Sequence, residues 1–451
     1  MSERRSRRLL VVGVLAGAAI GTTLGVTSLT GAGPGRTVGI RPVVLHVAKV
    51  VADPGAELEL TAGVVCPQRT PPACAVASAV AHVLSAGTVG WTDVAGVSDG
   101  TSFRFVIPGA LVPAEGLSYW LELAIEGGAA VRLPEAGPAA PFRVLTTAGL
   151  PQVPWPGRFD WGALTPADGV IARLAYGGGD DEVGRVGGTG DEQALGPSSF
   201  DVAPDGSIHV ADWVHARVLR LSPSGVVRRA TPLPVSRTVD ISVGADGSMA
   251  VTTLGLDATA FEVRGDGRVI GRYAVRSGIA ERISLTPAGP QVWLGPAQWT
   301  AVRSVPGVPL DAGAQARTLA PAIPARDGSV AFSQDLPDGR VAFVWARPDG
   351  SRTGAVLDLP PGVEPGVDHF VRALPDGGAI AARGVWAEGR EAVALLRFAA
   401  DGALAGASLI EAPSHEMDAA ASAVRFRAPD EVLVFRSARD GVRIERYEVT
   451  T

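Results

Sequence analysis

The sequence predicts an all-β protein of 451 residues, with an N-terminal membrane or signal helix, a β-sandwich and then a six-bladed β-propeller closed by an N-terminal strand. Three observations support this prediction. Glycine and proline are frequent, with 57 and 35 residues, and charged residues make up only 19% of the chain. Short runs alternate apolar and polar residues, and turn sequences recur about every 40 residues in the second half. These features are typical of many short strands joined by tight turns.

The N-terminal segment, residues 1–35, has the pattern of an export signal. Four arginines, at positions 4, 5, 7 and 8, precede the uncharged residues 9–30. A basic flank before an apolar run places the N-terminus in the cytoplasm and exports the rest of the chain. Two outcomes stay open: a retained anchor, because about 20 apolar residues can span a bilayer, or a cleaved leader. In either case we expect the later domains to be extracytoplasmic.

The only two cysteines, Cys66 and Cys74, lie eight residues apart. An even pair in an exported chain favours a disulfide bond between them. The alternative, a metal site, would need two further ligands nearby, and the closest histidine stands alone.

Residues 40–147 are expected to form the sandwich. Six alternating runs are separated by Pro, Gly and Asp turns: VVLHVAKV, AELELTAGVV, SAVAHVL, TSFRFVI, LSYWLELAI and PFRVLT. Six or seven strands in about 100 residues suit an immunoglobulin-like sandwich. Tyr119, near the start of the fifth run, resembles the tyrosine corner of such domains. A proline-rich linker over residues 148–167 follows.

Residues 168–451 contain a repeated pattern of turns. The first turn of each unit is expected at Asp205, Asp246, Ala288, Asp327, Asp376 and Asp430, and the second at Ser224, Asp266, Pro306, Asp349, Asp401 and Asp440. Asp-Gly suits such turns because glycine adopts positive φ without strain. Units of about 40 residues with four strands each indicate propeller blades, so six units predict six blades.

The last unit supplies only three strands before the chain ends. An unpaired run, GVIARLAYG at residues 169–177, precedes the first unit. We expect this run to add the missing outer strand to the sixth blade and so to close the ring, because an open edge is a liability. Val170, Ile171 and Leu174 are expected to be buried there.

Residues 196–225, GPSSFDVAPDGSIHVADWVHARVLRLSPSG, resemble an NHL repeat. The Pro-Asp-Gly turn and the Val-Ala-Asp strand end are matched, and Asp212 and Arg217 stand at positions of the motif. His215 stands where that family usually has asparagine. The resemblance implies a six-bladed ring used mostly as a binding platform, with a few enzymatic members, although a fold does not fix a function.

The loops between second and third strands, and those between blades, are expected to form a ligand-binding face. Aromatic and arginine side chains there are of the types that dominate binding energy. The alternative for each residue is that it packs within its own loop. The candidates are Trp213, His215, Gln298, Trp299, His369, Arg383, Trp386 and His415.

These patterns favour a binding or scaffold protein of the bacterial cell envelope, with a protein, peptide or glycan as its ligand. An envelope hydrolase or lyase with its active site at the channel mouth is the alternative, and a structural spacer is the third. No catalytic set is apparent and no cofactor is expected; a metal held by three of the histidines would require them to converge. The net charge of −6 and the scattered arginines argue against nucleic acid.

Overall fold

A computed structural model shows an all-β protein, as predicted. It describes residues 43–46, 48–65, 75–100, 102–126, 130–134, 136–156, 159–187, 194–233, 235, 238–253, 259–274, 280–287, 289–294, 298–301, 323–349, 351–413, 422–428 and 430–449. Arg41–Thr451 form one compact unit. The predicted leader and both cysteines lie outside the described residues, so the anchor and the disulfide stay predictions.

Helical structure in this described part consists of four short 3₁₀ turns, Gly109–Leu111, Gly137–Ala139, Thr147–Gly149 and Trp161–Ala163. Within the same residues, no helix has the length and apolar character needed to cross a membrane.

The first ten strands form two sheets. They are β1 (Val43–His46), β2 (Val51–Ala52), β3 (Leu58–Val65), β4 (Val76–Ser85), β5 (Thr92–Ala95), β6 (Val97–Ser98), β7 (Ser102–Ile107), β8 (Leu117–Ile125), β9 (Val131–Leu133) and β10 (Phe142–Thr146). One sheet has the order β1-β3-β7-β6, and the other has the order β2-β10-β8-β4-β5 with β9 beside β8. Their inner faces share one core that includes Leu60, Phe105 and Leu121.

Tyr119 is completely buried in this core. Its hydroxyl accepts a hydrogen bond from the Lys49 amide at 3.0 Å and contacts His46 Nε2 at 2.9 Å. The partners therefore lie about 70 residues upstream, whereas a tyrosine corner bonds to backbone a few residues away. Tyr119 is held by the segment between β1 and β2, which a local motif cannot reveal.

The remaining strands form six sheets. They are β11 (Gln152–Pro154), β12 (Gly169–Ala175), β13 (Ser199–Val202), β14 (Ile208–Asp212), β15 (Arg217–Leu221), β16 (Val227–Pro232), β17 (Thr238–Val243), β18 (Met249–Thr253), β19 (Thr259–Val263), β20 (Val269–Ala274), β21 (Ala280–Thr286), β22 (Gly289–Leu294), β23 (Gln298–Ala301), β24 (Ile323–Pro324), β25 (Val330–Asp335), β26 (Val341–Ala346), β27 (Arg352–Asp358), β28 (Glu364–Ala373), β29 (Ala379–Ala387), β30 (Arg390–Phe398), β31 (Leu404–Glu411), β32 (Val424–Ala428), β33 (Glu431–Ala438) and β34 (Gly441–Glu448).

In each of the six sheets, strands that follow one another in sequence pair antiparallel. We number these sheets by their strands: first β13–β16, second β17–β20, third β21–β23, fourth β24–β27, fifth β28–β31 and sixth β32–β34. Two earlier strands join them, since β11 pairs parallel with β27 and β12 pairs antiparallel with β34.

Seven of the predicted turns have a common chemistry, whereas Ala288 and Pro306 lie outside the described residues. In the first, the Asp205 carboxylate accepts a hydrogen bond from the Ser207 amide at 2.9 Å, and Gly206 has a φ of 80°. Such a side chain fixes the turn while glycine takes up the positive φ. The same aspartate contact recurs at Asp246, Asp266, Asp327, Asp349, Asp376 and Asp401.

One assigned turn is wrong. Asp440 lies between the second and third strands of the sixth sheet, at the end opposite to the other second turns. The fourth strand of this sheet is β12, which lies far earlier in the chain. The sheet therefore has no turn that joins a third strand to a fourth.

The predicted pairing of residues 169–177 with the last unit is confirmed for β12. Gly169 pairs with Arg446 and Ala175 with Gly441, along the free edge of β34. Ala172 and Leu174 are buried, with 4% and 3% of their surface exposed. The expected burial of Val170 and Ile171 is wrong. A register shift between Val170 and Ala172 leaves Val170 38% exposed and Ile171 half-buried.

The first strands of the six sheets lie against one another in sequence order. β13 contacts β17, β17 contacts β21, β21 contacts β24, β24 contacts β28 and β28 contacts β32. β32 also contacts β13, so the series returns to its start. The first strands are therefore the elements that meet in the middle of the arrangement.

The sandwich is fixed to the fourth sheet. The Gln334 side chain accepts a hydrogen bond from the Val50 amide at 2.8 Å and donates one to the Val51 carbonyl at 2.6 Å. Arg340 donates to both carboxylate oxygens of Asp53 at 2.9 Å. Together with the pairing of β11, these contacts attach the predicted linker and the sandwich to one place on the sheets.

Candidate functional site

Residues on or next to the first strands of all six sheets line one cavity of about 90 Å³. Because a water molecule occupies about 30 Å³ of liquid, the cavity has room for about three water molecules or one small polar group. Its charged lining comes from Asp201, Asp240, Arg282, Arg326, Arg372 and Arg425, with His369 and Phe426 beside them.

The two aspartates hold neighbouring sheets together. Asp201 accepts a hydrogen bond from the Val243 amide of the second sheet at 2.7 Å. Asp240 accepts one from the Ile283 amide of the third sheet at 2.9 Å. Buried backbone amides need such acceptors, so both carboxylates have a structural role at the edge of the cavity.

Three of the arginines reach across the cavity. Arg326 of the fourth sheet forms an ion pair with Asp201 and donates to the Val202 carbonyl, both in the first sheet. Arg425 of the sixth sheet donates to Asp240 at 2.9 Å.

The third crossing arginine, Arg282, donates to the Asp368 carbonyl of the fifth sheet at 3.2 Å. Charge-assisted bonds of this kind are stronger than neutral ones. Together the three arginines link first strands that do not neighbour each other.

The ionisation of the carboxylates follows these contacts. Burial raises the pKa of Asp201, but Arg326 and Arg425 outweigh it and hold the pKa below its usual value. Burial raises the pKa of Asp368, which Arg383 only partly offsets. Four arginines and two aspartates line the cavity, so positively charged side chains are in excess there.

Arg372 differs from the other three arginines. Among the described residues, no hydrogen-bond acceptor or carboxylate binds its guanidinium, which lies 5.4 Å from the centre of the Phe426 ring. Burial and then Arg326 lower the pKa of Arg372, and Asp201 and Asp327 only partly offset this, yet a guanidinium stays charged in proteins. Arg372 therefore brings a positive charge into the cavity without an opposite charge bound to it.

Among the predicted face residues whose side chains the structure describes, His369 alone lines this cavity. Arg383 is buried instead, where it forms an ion pair with Asp335 and donates to the Ser333 hydroxyl at 2.8 Å. Its guanidinium thus joins the fifth sheet to the fourth.

His215 and Trp213 lie in the turn between β14 and β15. His215 Nδ1 is 2.7 Å from the carboxylate of Asp212, which also accepts from Arg217 at 2.9 Å and from the Gly184 amide at 3.0 Å. Asp212 thus organises the NHL-like stretch and binds the preceding glycine-rich segment to it.

Trp386, near the end of β29, is 41% exposed although its neighbours in the strand are buried. It lies next to the turn that joins the second and third strands of the fifth sheet, as Trp213 does in the first sheet. Gln298 and Trp299 begin β23, at the corresponding end of the third sheet, but their side chains are outside the description. His415 lies outside the described residues.

The sequence interpretation missed the charged residues of the cavity. A usable signal exists, since Asp201, Asp240 and Arg372 stand four or six positions before the first turn residue of their units. Charged residues at that place in short apolar strands mark the channel side of the innermost strand.

No group of three or more histidine, cysteine, aspartate or glutamate side chains suited to a metal ion occurs in the described ranges. His369 and His215 lie in different sheets, and the third histidine of the predicted trio is His415.

Comparison with known proteins finds no matching family model and no matching curated relative. Solved structures with some likeness include hydrazine synthase of Kuenenia stuttgartiensis, with 13% identity, 53% of this chain and 76% of that chain covered, and a TM-score of 0.34. A protein of unknown function from Bacteroides thetaiotaomicron has 9% identity over 90% and 97% of the two chains, with a TM-score of 0.33. A streptogramin B lyase has 11% identity over 91% and 98%, with a TM-score of 0.32. Likeness at this level carries no conclusion about function.

His209, in β14 near the cavity, gives a prediction about acid stability. Burial lowers its pKa from 6.5 to about 4, with Asp201 partly opposing the change. Between these values the unfolded chain binds the proton and the folded chain does not, so stability falls as the pH drops from 6.5 to 4. The shift corresponds to about 3 kcal/mol. The free energy of unfolding is measured by urea titration at pH 7 and at pH 4.5. From the higher to the lower pH, His209→Gln should lose about 2–3 kcal/mol less of this free energy than the wild type loses. An equal loss in both proteins would contradict the prediction.

Proposed function

We propose that this chain is an exported, membrane-anchored binding protein of the bacterial cell envelope. In this proposal residues 40–147 form an immunoglobulin-like sandwich, and residues 168–451 form a six-bladed propeller of the NHL type. The returning series of first strands and the pairing of β12 with β34 support the closed ring. The basic and then apolar N-terminal sequence supports export.

The ligand, a protein, peptide or glycan, binds at the end of the propeller that carries the turns between second and third strands. The exposed Trp386 carries this proposal. Large aromatic side chains are seldom left in water on a strand, and tryptophan is enriched among residues that dominate binding energy. Val367, in the neighbouring strand β28, is a second exposed apolar side chain, with 52% of its surface accessible.

The geometry of Trp386 fits a rigid contact residue. Gly366 in β28 lies so close to the indole that a Cβ there would stand 2.9 Å from Trp386 Cδ1. The ring is therefore held against the backbone of the neighbouring strand. A ring already fixed in place loses little conformational entropy when a ligand covers it.

The test compares Trp386→Ala with a matched surface variant, Val226→Ser. Val226 is 52% exposed, in the turn between β15 and β16 at the other end of the sheets. Full-length protein in detergent is incubated with envelope extract, and the bound material is quantified by mass spectrometry. We expect one component to bind the wild type and Val226→Ser equally and to be reduced at least about tenfold by Trp386→Ala. Identical bound material for all three proteins would overturn the proposal.

A further inference from the structure

The cavity between the first strands is lined by more positive than negative side chains. Four guanidinium groups and two carboxylates line it, and both carboxylates are already engaged by backbone amides and by Arg326 or Arg425. The charge that remains is centred on Arg372, whose contact in the described residues is the face of Phe426. A charge in such a place is costly unless an opposite charge accompanies it.

The cavity is open to solvent at its charged groups. The side chains of Arg326 and Arg425 keep 18% and 19% of their surface exposed, and Arg372 is only partly buried. An ion can therefore reach the guanidinium groups from outside. The volume of about 90 Å³ accommodates one small polar group.

We propose that the cavity binds one anionic oxygen group, a carboxylate or a phosphate, against Arg372. The planar guanidinium offers two parallel N–H donors, a geometry that suits both groups. Arg326 and Arg425 line the same cavity, although each is paired with an aspartate. The proposal is separate from the proposed function, because Arg372 pairs with Ile380 near the first turn of the fifth sheet, whereas Trp386 pairs with Glu364 at the other end of β28.

Inorganic phosphate is the probe for a phosphate group and acetate is the probe for a carboxylate. Sodium chloride at equal ionic strength is the reference. The full-length chain in detergent is titrated by calorimetry. The variants are Arg372→Met and a matched control, Arg272→Met, since Arg272 also lies over an aromatic ring, 5.7 Å from the centre of Phe261, but is exposed in the second sheet. We expect phosphate or acetate to bind the wild type and Arg272→Met alike, and Arg372→Met at least about tenfold more weakly.

Unchanged binding in Arg372→Met, or no binding of either oxyanion to the wild type, would overturn the proposal. The proposal would also be overturned if chloride bound as tightly as the oxyanions and this binding depended on Arg372, because a spherical ion does not need the paired donors. If Arg372→Met fails to fold, Arg372→Lys replaces it. A lysine keeps the positive charge but lacks the paired N–H donors of a guanidinium, so the affinity for the oxyanion should fall several-fold. The two proposals fail separately, because oxyanion binding without a Trp386-dependent partner rejects only the envelope function, and the reverse result rejects only the anion site.

Discussion

Replacing Leu174 with aspartate should lower the free energy of unfolding by about 3–6 kcal/mol. Leu174 is 3% exposed and belongs to a core shared with Phe435 and Ile444 of the sixth sheet. Losing a buried leucine costs about 1.5–3 kcal/mol, and an unpaired polar group in the same place adds a comparable amount. A protein of this kind typically has about 5–15 kcal/mol in total, so the variant should be close to unfolding.

Ala175→Asp is the control for this change. Ala175 is in the same strand and exposed, so the new carboxylate stays in water. Urea denaturation should show a change within about 1 kcal/mol for the control. If Leu174→Asp proved as stable as the wild type, β12 would not be part of the sixth sheet's core.

Asp240→Ala should have the second largest effect, a loss of about 3–5 kcal/mol. Asp240 is 1% exposed and accepts hydrogen bonds from the Ile283 amide, the Ser199 hydroxyl and Arg425. Its removal leaves those three donors without this acceptor, two of them fully buried. Removing one partner of a buried pair costs more than the pair itself contributes.

The double variant Asp240→Ala with Arg425→Met identifies the charge contribution. The free energy of unfolding lost in the double variant should be about 2 kcal/mol smaller than the sum of the losses in the two single variants. Asp205→Ala is the control, because this aspartate is 56% exposed in a turn and pairs with Arg220 at 2.7 Å. We expect about 1 kcal/mol for it. Strict additivity of Asp240→Ala and Arg425→Met would show that the two side chains do not interact.

Much of the fold could be predicted because its signals are local. The Asp-Gly turns are specified by two or three adjacent residues, and the Asp205 and Asp376 turns form as expected. The strands between them follow from alternation of apolar and polar residues. Even the distant pairing of β12 with β34 could be predicted, because the last unit had only three strands and the run at residues 169–177 had no partner.

The cavity could not be predicted in the same way. Arg326 and Arg425 bind partners more than 100 positions away, and nothing in their local sequence distinguishes them from exposed arginines. Arg383 illustrates the converse: its place near a loop suggested a ligand contact, but the register of β29 directs it into the fifth sheet. Which side of a short strand faces the cavity depends on register, and a single bulge, such as that at Val170, reverses it.

The central claim is that the six sheets form one ring, closed by β12 on the sixth sheet. Hydrogen exchange followed by mass spectrometry tests it most directly, in the wild type and in Leu174→Ala, a milder change than Leu174→Asp that leaves the rest of the protein folded. The account predicts that residues 441–448 lose protection in the variant by at least about tenfold more than residues 249–253 of the second sheet, because the edge of β34 becomes exposed. Equal protection of residues 441–448 in both proteins would contradict the closure.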